Sequence, residues 1–340
     1  MIKENAEVPH QWNLVDITTL YKKKGQIKDL VNQRGIFLTV IAYKLMERLI
    51  KNRVKEPQKR INLLQAGGRE KRCTSDQTFI MRCLINHALY LGRKLFITTY
   101  DYKQCFDKLW LQEALLSQWR LGVHPEFIKL MLELNKISEI AVKTPFGETD
   151  RFRVNSITKQ GTVTGPSLCC SSLGEVLDLH RGGGVPVGSV SVPTLAFVDD
   201  INNLQTKISE VHSAHEKTIW FSKRKNQPLN KGKCEVMCVN TAPGDAVPEL
   251  YIEDHPVKCT DKIKYVGDVF NQKGSNKDLI DDRKVRGTIC IRGTLAECSD
   301  ITLGQYAIES LMLMYRAVFI QVVLFNGGAW CKLQGGVGQT

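Results

Sequence analysis

The N-terminus, MIKENAEVPHQW, has no apolar core behind a basic start, so no secretory signal is read there and the protein is expected to be intracellular, in nucleus or cytoplasm. Nor is there an uninterrupted apolar run long enough to cross a bilayer comfortably. The longest, LMLMYRAVFIQVVLF over Leu311 to Phe325, is broken by Arg316 and Gln321 and is expected as a buried helix, with no membrane partner. A regular cysteine framework is missing too. The 11 cysteines are scattered and Cys169 adjoins Cys170, which excludes a disulfide-stapled miniprotein and points to reduced thiols. No fixed-period repeat or low-complexity tract is present, so solenoids are excluded. Acidic residues are in deficit, 35 against 47 Lys and Arg, and the net charge of +12 favours a polyanionic partner, nucleic acid first.

What is present is an ordinary globular balance, 43% hydrophobic and 24% charged, over 340 residues, enough for one large domain or two smaller ones with a buried core. Apolar positions Val40, Ile41, Leu45, Leu49 and Ile50 fall at helical spacing, predicting an amphipathic helix over 36–53. The Gly-rich basic segment from Gln65 to Arg72 reads as a ligand-contacting loop, followed by a helix from Ser75. LFITTY over Leu95 to Tyr100 reads as a strand that delivers Asp101 at its end. Helices are expected over 111–135, two strands about a turn over 140–152, and a Gly- and Pro-containing loop running into a helix over 161–177. One buried strand is read over 190–198, ending at Asp199 and Asp200. A helix over 207–224, strands over 234–240, 251–259 and 263–270, and helices from Lys277 onward complete an α+β pattern.

Three carboxylates at strand ends, Asp101, Asp199 and Asp200, are what an antiparallel sheet could bring together around divalent cations. Oxygen donors of this kind suit Mg²⁺, with no His or Cys required. The alternative for an adjacent Asp pair is an exposed turn. His212, His215, Cys234 and Cys238 offer a superficial zinc set, but their spacing matches zinc sites poorly.

Phe197-Val198-Asp199-Asp200 resembles the reverse-transcriptase signature of an aromatic, a small or aliphatic residue and two aspartates. YDYKQCFD over Tyr100 to Asp107 resembles the motif in which a strand-end Asp precedes an aromatic and a second Asp. Lys159 to Pro166 (KQGTVTGP) is similar to the Gln-Gly loop under template and nucleotide. Lys23-Lys24-Gly25, then Asn32 to Ile36 and Gln65-Ala66-Gly67, look like the fingers of non-LTR retrotransposon enzymes. NKGKCEVMCV, IKYVGDVF and Tyr315 to Trp330 resemble later palm motifs and the first part of a thumb. Val198 stands where the non-LTR signature more often has Ala, and Thr162 to Thr164 depart from the commonest wording of the loop.

The resemblance covers residues 11 to 331 and implies a right-hand polymerase fold, its palm an antiparallel sheet backed by helices. The divisions it implies are fingers 1–95, palm 96–275 with a fingers-contributing segment at 111–155, and a truncated thumb start at 276–340. It implies an RNA-directed DNA polymerase acting on an RNA template, a DNA primer and dNTPs, with Mg²⁺, or Mn²⁺ as substitute, held by Asp101, Asp199 and Asp200. Phe106 would exclude a 2′-hydroxyl, or else be a core residue. Gln160 and Gly161 would line the nucleotide pocket, or Gly161 would serve only as a turn. Arg34 with Lys24 would reach the triphosphate or template phosphate, and Lys233 would protonate pyrophosphate or be solvated. Asp107 is expected to cap a helix beginning near Lys108. No endonuclease motif is evident, so target cutting would fall to a separate domain or protein. The competing functions are a catalytically silent nucleic-acid-binding remnant of a mobile element and, more weakly, an intron-encoded maturase.

Overall fold

The computed structural model describes residues 7–22, 25–29, 32–103, 105–136, 139–144, 147–153, 161–297 and 305–330. Strands β1 (Leu14–Tyr21) and β2 (Gln33–Leu38) lead into helices α1 (Ile41–Arg53) and α2 (Thr74–Tyr90), then strand β3 (Leu95–Asp101). A helical turn, Cys105–Lys108, precedes α3 (Leu111–Arg120), α4 (Pro125–Asn135), β4 (Glu139–Thr144) and β5 (Gly147–Glu148). Helix α5 (Gly165–Asp178), strands β6 (Val185–Val187), β7 (Val190–Val192), β8 (Thr194–Phe197) and β9 (Asp200–Gln205), and helix α6 (Ile208–Arg224) follow. The chain continues through β10 (Glu235–Val239), β11 (Tyr251–Ile252), β12 (His255–Pro256), β13 (Lys258–Thr260), β14 (Lys262–Tyr265) and β15 (Asp268–Asn271) to α7 (Lys277–Glu297) and α8 (Gln305–Met314).

β3 organises the molecule because it is apolar on both faces. Leu95 and Ile97 point one way, Phe96 and Tyr100 the other, and each is at most 1% exposed, which only a central strand can achieve. The five-stranded sheet runs β13-β10-β3-β9-β8, with β3 antiparallel to both neighbours. Leu168, Leu173 and Val176 of α5 and Val211 and Phe221 of α6 share a core with Phe96 and Tyr100. Met81, Leu84 and Ile85 of α2 and Ile263 and Tyr265 of β14 share the other with Leu95 and Ile97. Each such side chain contributes roughly 1.5–3 kcal/mol by leaving water. A second sheet, β2-β1-β4-β5, closes over Val15, Ile17, Phe37 and Ile140.

Several expectations need correction. The helix expected over 36–53 begins only at Ile41, because residues 33–38 pair with β1 as strand β2. The single buried strand expected over 190–198 is two, β7 and β8. They part at Pro193, which has no N–H for a ladder, and Val190 is 62% exposed. Residues 263–270 form a hairpin, β14–β15, turning at Val266 and Gly267, both at positive φ. Residues 251–259 likewise break into the β11–β12 hairpin and β13. No helix starts at Lys108: that residue ends a helical turn, the next helix starts at Leu111, and the Asp107 side chain lies outside the described residues.

The apolar segment expected as a buried helix is largely exposed, with Leu313 at 68% and Leu324 at 55%. Helix Ile308–Ala329, with 22 residues, is long and apolar enough to cross a membrane by length and composition. Its far end is instead tied into the protein. Asn326, 7% exposed, accepts from Thr74 and Ser75 and donates to Thr78 and Asp268, and Asp268 is ion-paired with Arg283 of α7.

Candidate active site

In the antiparallel pair β3–β9, Asp101 stands directly opposite Asp200. Cross-strand partners project from the same face, so two carboxylates rise together from one end of the sheet. Phe197 pairs with Asp200 across the β8–β9 hairpin, leaving only Val198 and Asp199 in the loop. Tight two-residue hairpins whose twist matches the strands need positive φ at the first loop residue, and Val198 has φ +57°. For a β-branched residue this conformation is an outlier, costing about 1–2 kcal/mol.

The turn is held by a residue far away in sequence. Gln65, fully buried, accepts the Val198 N–H at 2.8 Å and the Gly67 N–H at 2.9 Å through Oε1, and donates through Nε2 to the Val198 carbonyl at 3.0 Å. Its backbone runs parallel beside β8, with Ala66 N–H donating to the Ala196 carbonyl and Ala196 N–H to the Leu64 carbonyl. A Cβ on Gly67 would overlap the Val198 amide, so only glycine lets the two segments come this close. Within the segment read as a ligand-contacting loop, Gln65 and Gly67 grip the aspartate-bearing turn.

Lys233 places Nζ 3.3 Å from both oxygens of Asp101. Burial pushes the Asp199 carboxyl above the ordinary value, with Asp101 adding repulsion, while its own backbone N–H, Arg34 and Lys233 pull the other way. Asp200 is an exposed residue, yet protein around its carboxyl desolvates it. That desolvation, with the charges of Asp199 and Asp101, pushes it up to about 6 against the pull of Lys233. Asp101, Asp199 and Asp200 repel one another against the pull of Lys233 and, at Asp199, Arg34, and the donors are all oxygen, as a Mg²⁺-type ion prefers. Among the described residues, no group of three or more His, Cys, Asp and Glu side chains is close enough to form a ready-made metal cage.

Arg34, exposed on β2, is near enough for its charge to act on Asp199. Gly161 has φ +91° and sits against β2, where a Cβ would lie 3.5 Å from the Phe37 carbonyl, so backbone conformation rather than space requires glycine. Phe106 is half-buried and packs on the main core. Lys24 and Gln160 lie outside the described residues.

A second residue that the sequence did not reveal is Glu47 of α1, fully buried. It accepts Val163 N–H at 2.9 Å and Thr164 N–H at 3.3 Å, and also the Thr164 hydroxyl, so it caps the loop entering α5. The zinc alternative finds no free ligand in His215: Nδ1 meets Tyr100 Oη and Nε2 the Tyr251 carbonyl, each at 2.9 Å. A cavity of about 430 Å³ lies elsewhere, lined by residues including Lys103, Lys223, Asn230 and Lys231, with none of the three aspartates in its wall.

Residues 21–270 match the family model described as reverse transcriptase (RNA-dependent DNA polymerase). The chain is 22% identical over 286 residues to a retrovirus-related Pol polyprotein from type-1 retrotransposable element R2 of Popillia japonica, covering 81% of this chain and 40% of that protein. It is 24% identical over 299 residues to a probable RNA-directed DNA polymerase from transposon X-element of Drosophila melanogaster, covering 82% and 31% respectively. The chain thus spans less than half the length of either relative. Two solved telomerase structures from Candida tropicalis share the fold. The apo form truncated from the C-terminal domain superposes with TM-score 0.53 at 12% identity, over 77% of this chain and 54% of that one. The complex with a TWJ fragment of telomeric RNA gives 0.54 at 13%, over 95% and 56%. At such identity the likeness establishes architecture alone: an α+β right-hand polymerase fold, with an antiparallel palm sheet backed by helices.

Proposed function

The chain belongs to the reverse transcriptase family, and on that premise we propose that it is an RNA-directed DNA polymerase of non-LTR retrotransposon origin, extending a DNA primer on an RNA template with dNTPs. The observation that carries this reading is the register that sets Asp101 opposite Asp200, with Asp199 one residue away in a two-residue turn. Asp101, Asp199 and Asp200 would hold Mg²⁺, or Mn²⁺ in its place. Bound there, such ions supply activation of the primer 3′-hydroxyl and neutralisation of charge on the triphosphate.

The chain's own groups do the rest. Lys233, beside Asp101, partly neutralises that carboxylate and can turn its proton toward the departing pyrophosphate. Arg34, and Lys24 by resemblance, offer cationic donors to triphosphate oxygens on the Asp199 side. Phe106, by resemblance, would exclude a ribose 2′-hydroxyl by bulk. Gly161, with Gln160 by resemblance, gives the nucleotide an unobstructed backbone surface, and Glu47 fixes that loop from beneath. A separate endonuclease domain or protein would provide the cut target.

A second reading, a chain that binds nucleic acid without turnover, is favoured by the absence of a ready-made three-ligand cage among the described residues and by Lys233 occupying Asp101. Extension of a primed RNA template with dNTPs and Mg²⁺ separates the two. Incorporation supports the polymerase, and binding of the primed template without incorporation supports the silent remnant.

A further inference from the structure

We propose that Gln65 is a positioning residue for the metal-binding turn: its side-chain amide holds Val198 in the left-handed conformation and so aims Asp199 at the site. The inference rests on the polymerase reading for its purpose, but its geometry stands apart from it.

Both polar atoms of the Gln65 side chain are committed to the Val198 peptide, one to its N–H and the other to its carbonyl. The remaining capacity of Oε1 goes to Gly67, the residue whose missing Cβ lets the segment approach. A buried amide that merely filled space could pair with any neighbouring backbone. Here it brackets the one loop residue with strained φ, immediately before Asp199. The backbone ladder to β8 fixes where the Gln65 side chain starts, so the amide reads the position of the turn against the sheet rather than following it. Without Gln65 the β8–β9 hairpin alone would have to hold a β-branched residue at φ +57°, and any relaxation to negative φ would swing the next residue's backbone, and its carboxylate, away from Asp101.

A purely structural glutamine and a positioning one differ in what glycine at 198 does. Glycine takes positive φ without strain, so in a Val198→Gly background the turn no longer needs holding. The experiment is a double-substitution cycle on the full chain, read by titrating Mn²⁺ and counting the fraction whose binding the Asp199→Asn, Asp200→Asn pair removes. Nucleotide addition to a primed RNA template is read in parallel. Gln65→Ala should weaken this Mn²⁺ binding roughly 10- to 100-fold, as loss of a residue orienting metal ligands does. In the Val198→Gly background the same substitution should change it by no more than about twofold. Gln65→Met keeps the bulk and loses both hydrogen bonds to Val198, and serves if the alanine variant does not fold. It should show a penalty that Val198→Gly also suppresses.

Equal penalties in both backgrounds, a loss of thermal stability with Mn²⁺ binding unchanged, or no aspartate-dependent Mn²⁺ binding in the unsubstituted chain would each overturn the proposal. Suppressible Mn²⁺ binding in a chain that adds no nucleotide would uphold it and remove the polymerase reading alone.

Discussion

Asp101 and Asp200 face each other across β3 and β9 at the end of the central sheet, where desolvation first, and then the charges of Asp199 and Asp101, raise the Asp200 carboxyl. The folded Asp200 carboxyl holds its proton up to about 6, above the ordinary value of 3.8. The folded chain therefore binds more protons than the unfolded one between these values, and through this group stability falls as pH rises from about 4 to about 6. Asp200→Asn should raise the Tm of the metal-free chain at pH 8, by about a degree or two, and leave it unchanged near pH 3. Thermal unfolding with EDTA at both pH values checks this; equal shifts at both would mean the charge is not the cause.

Glu47 satisfies two backbone N–H groups and a hydroxyl at the entrance of α5. Glu47→Ala leaves these donors unpaired in a buried site and should cost about 2–3 kcal/mol in urea unfolding. In chains that remain folded, the KM for dNTP should rise more than kcat falls, because the loop it holds is expected to bind nucleotide. Glu47→Gln, which keeps acceptor oxygen, should lose less on both counts.

Phe106 packs on the core with part of its ring open, close behind Asp101 in sequence. Phe106→Val should raise the use of rNTP relative to dNTP on the order of 10- to 100-fold. Selectivity unchanged with stability lowered would assign it to the core alone.

Arg283 is buried against Asp268, donates to the Gly267 carbonyl at 3.0 Å and lies 5.0 Å from the Phe325 ring centroid. Arg283→Met strands a fully buried carboxylate and should cost about 3–5 kcal/mol. Limited proteolysis should then cut within residues 277–330 before the sheet unfolds.

The central strand was legible because an apolar, β-branched run ending on aspartate favours a buried strand. Residues 95–101 show this plainly. The break at Pro193 and the turn at Val266 and Gly267 were equally written in the residues but were outweighed by the apolar runs around them. The supports of the site were not legible. Gln65 meets Val198 across 133 positions and Glu47 meets Val163 across 116, and local periodicity carries no information about partners so far apart. Exposure of Leu313 and Leu324 was hidden for a related reason: an apolar helix pattern reports the need for a covering surface without saying which one supplies it.

The most direct test of the account is single-turnover addition of one dNTP to a primed RNA template with Mg²⁺, by the chain as it stands and by the chain carrying Asp199→Asn and Asp200→Asn together. The account predicts addition by the first and none above background by the second, with primed template bound equally by both. Addition that survives the double substitution would contradict it, because the chemistry would then lie outside the β8–β9 turn.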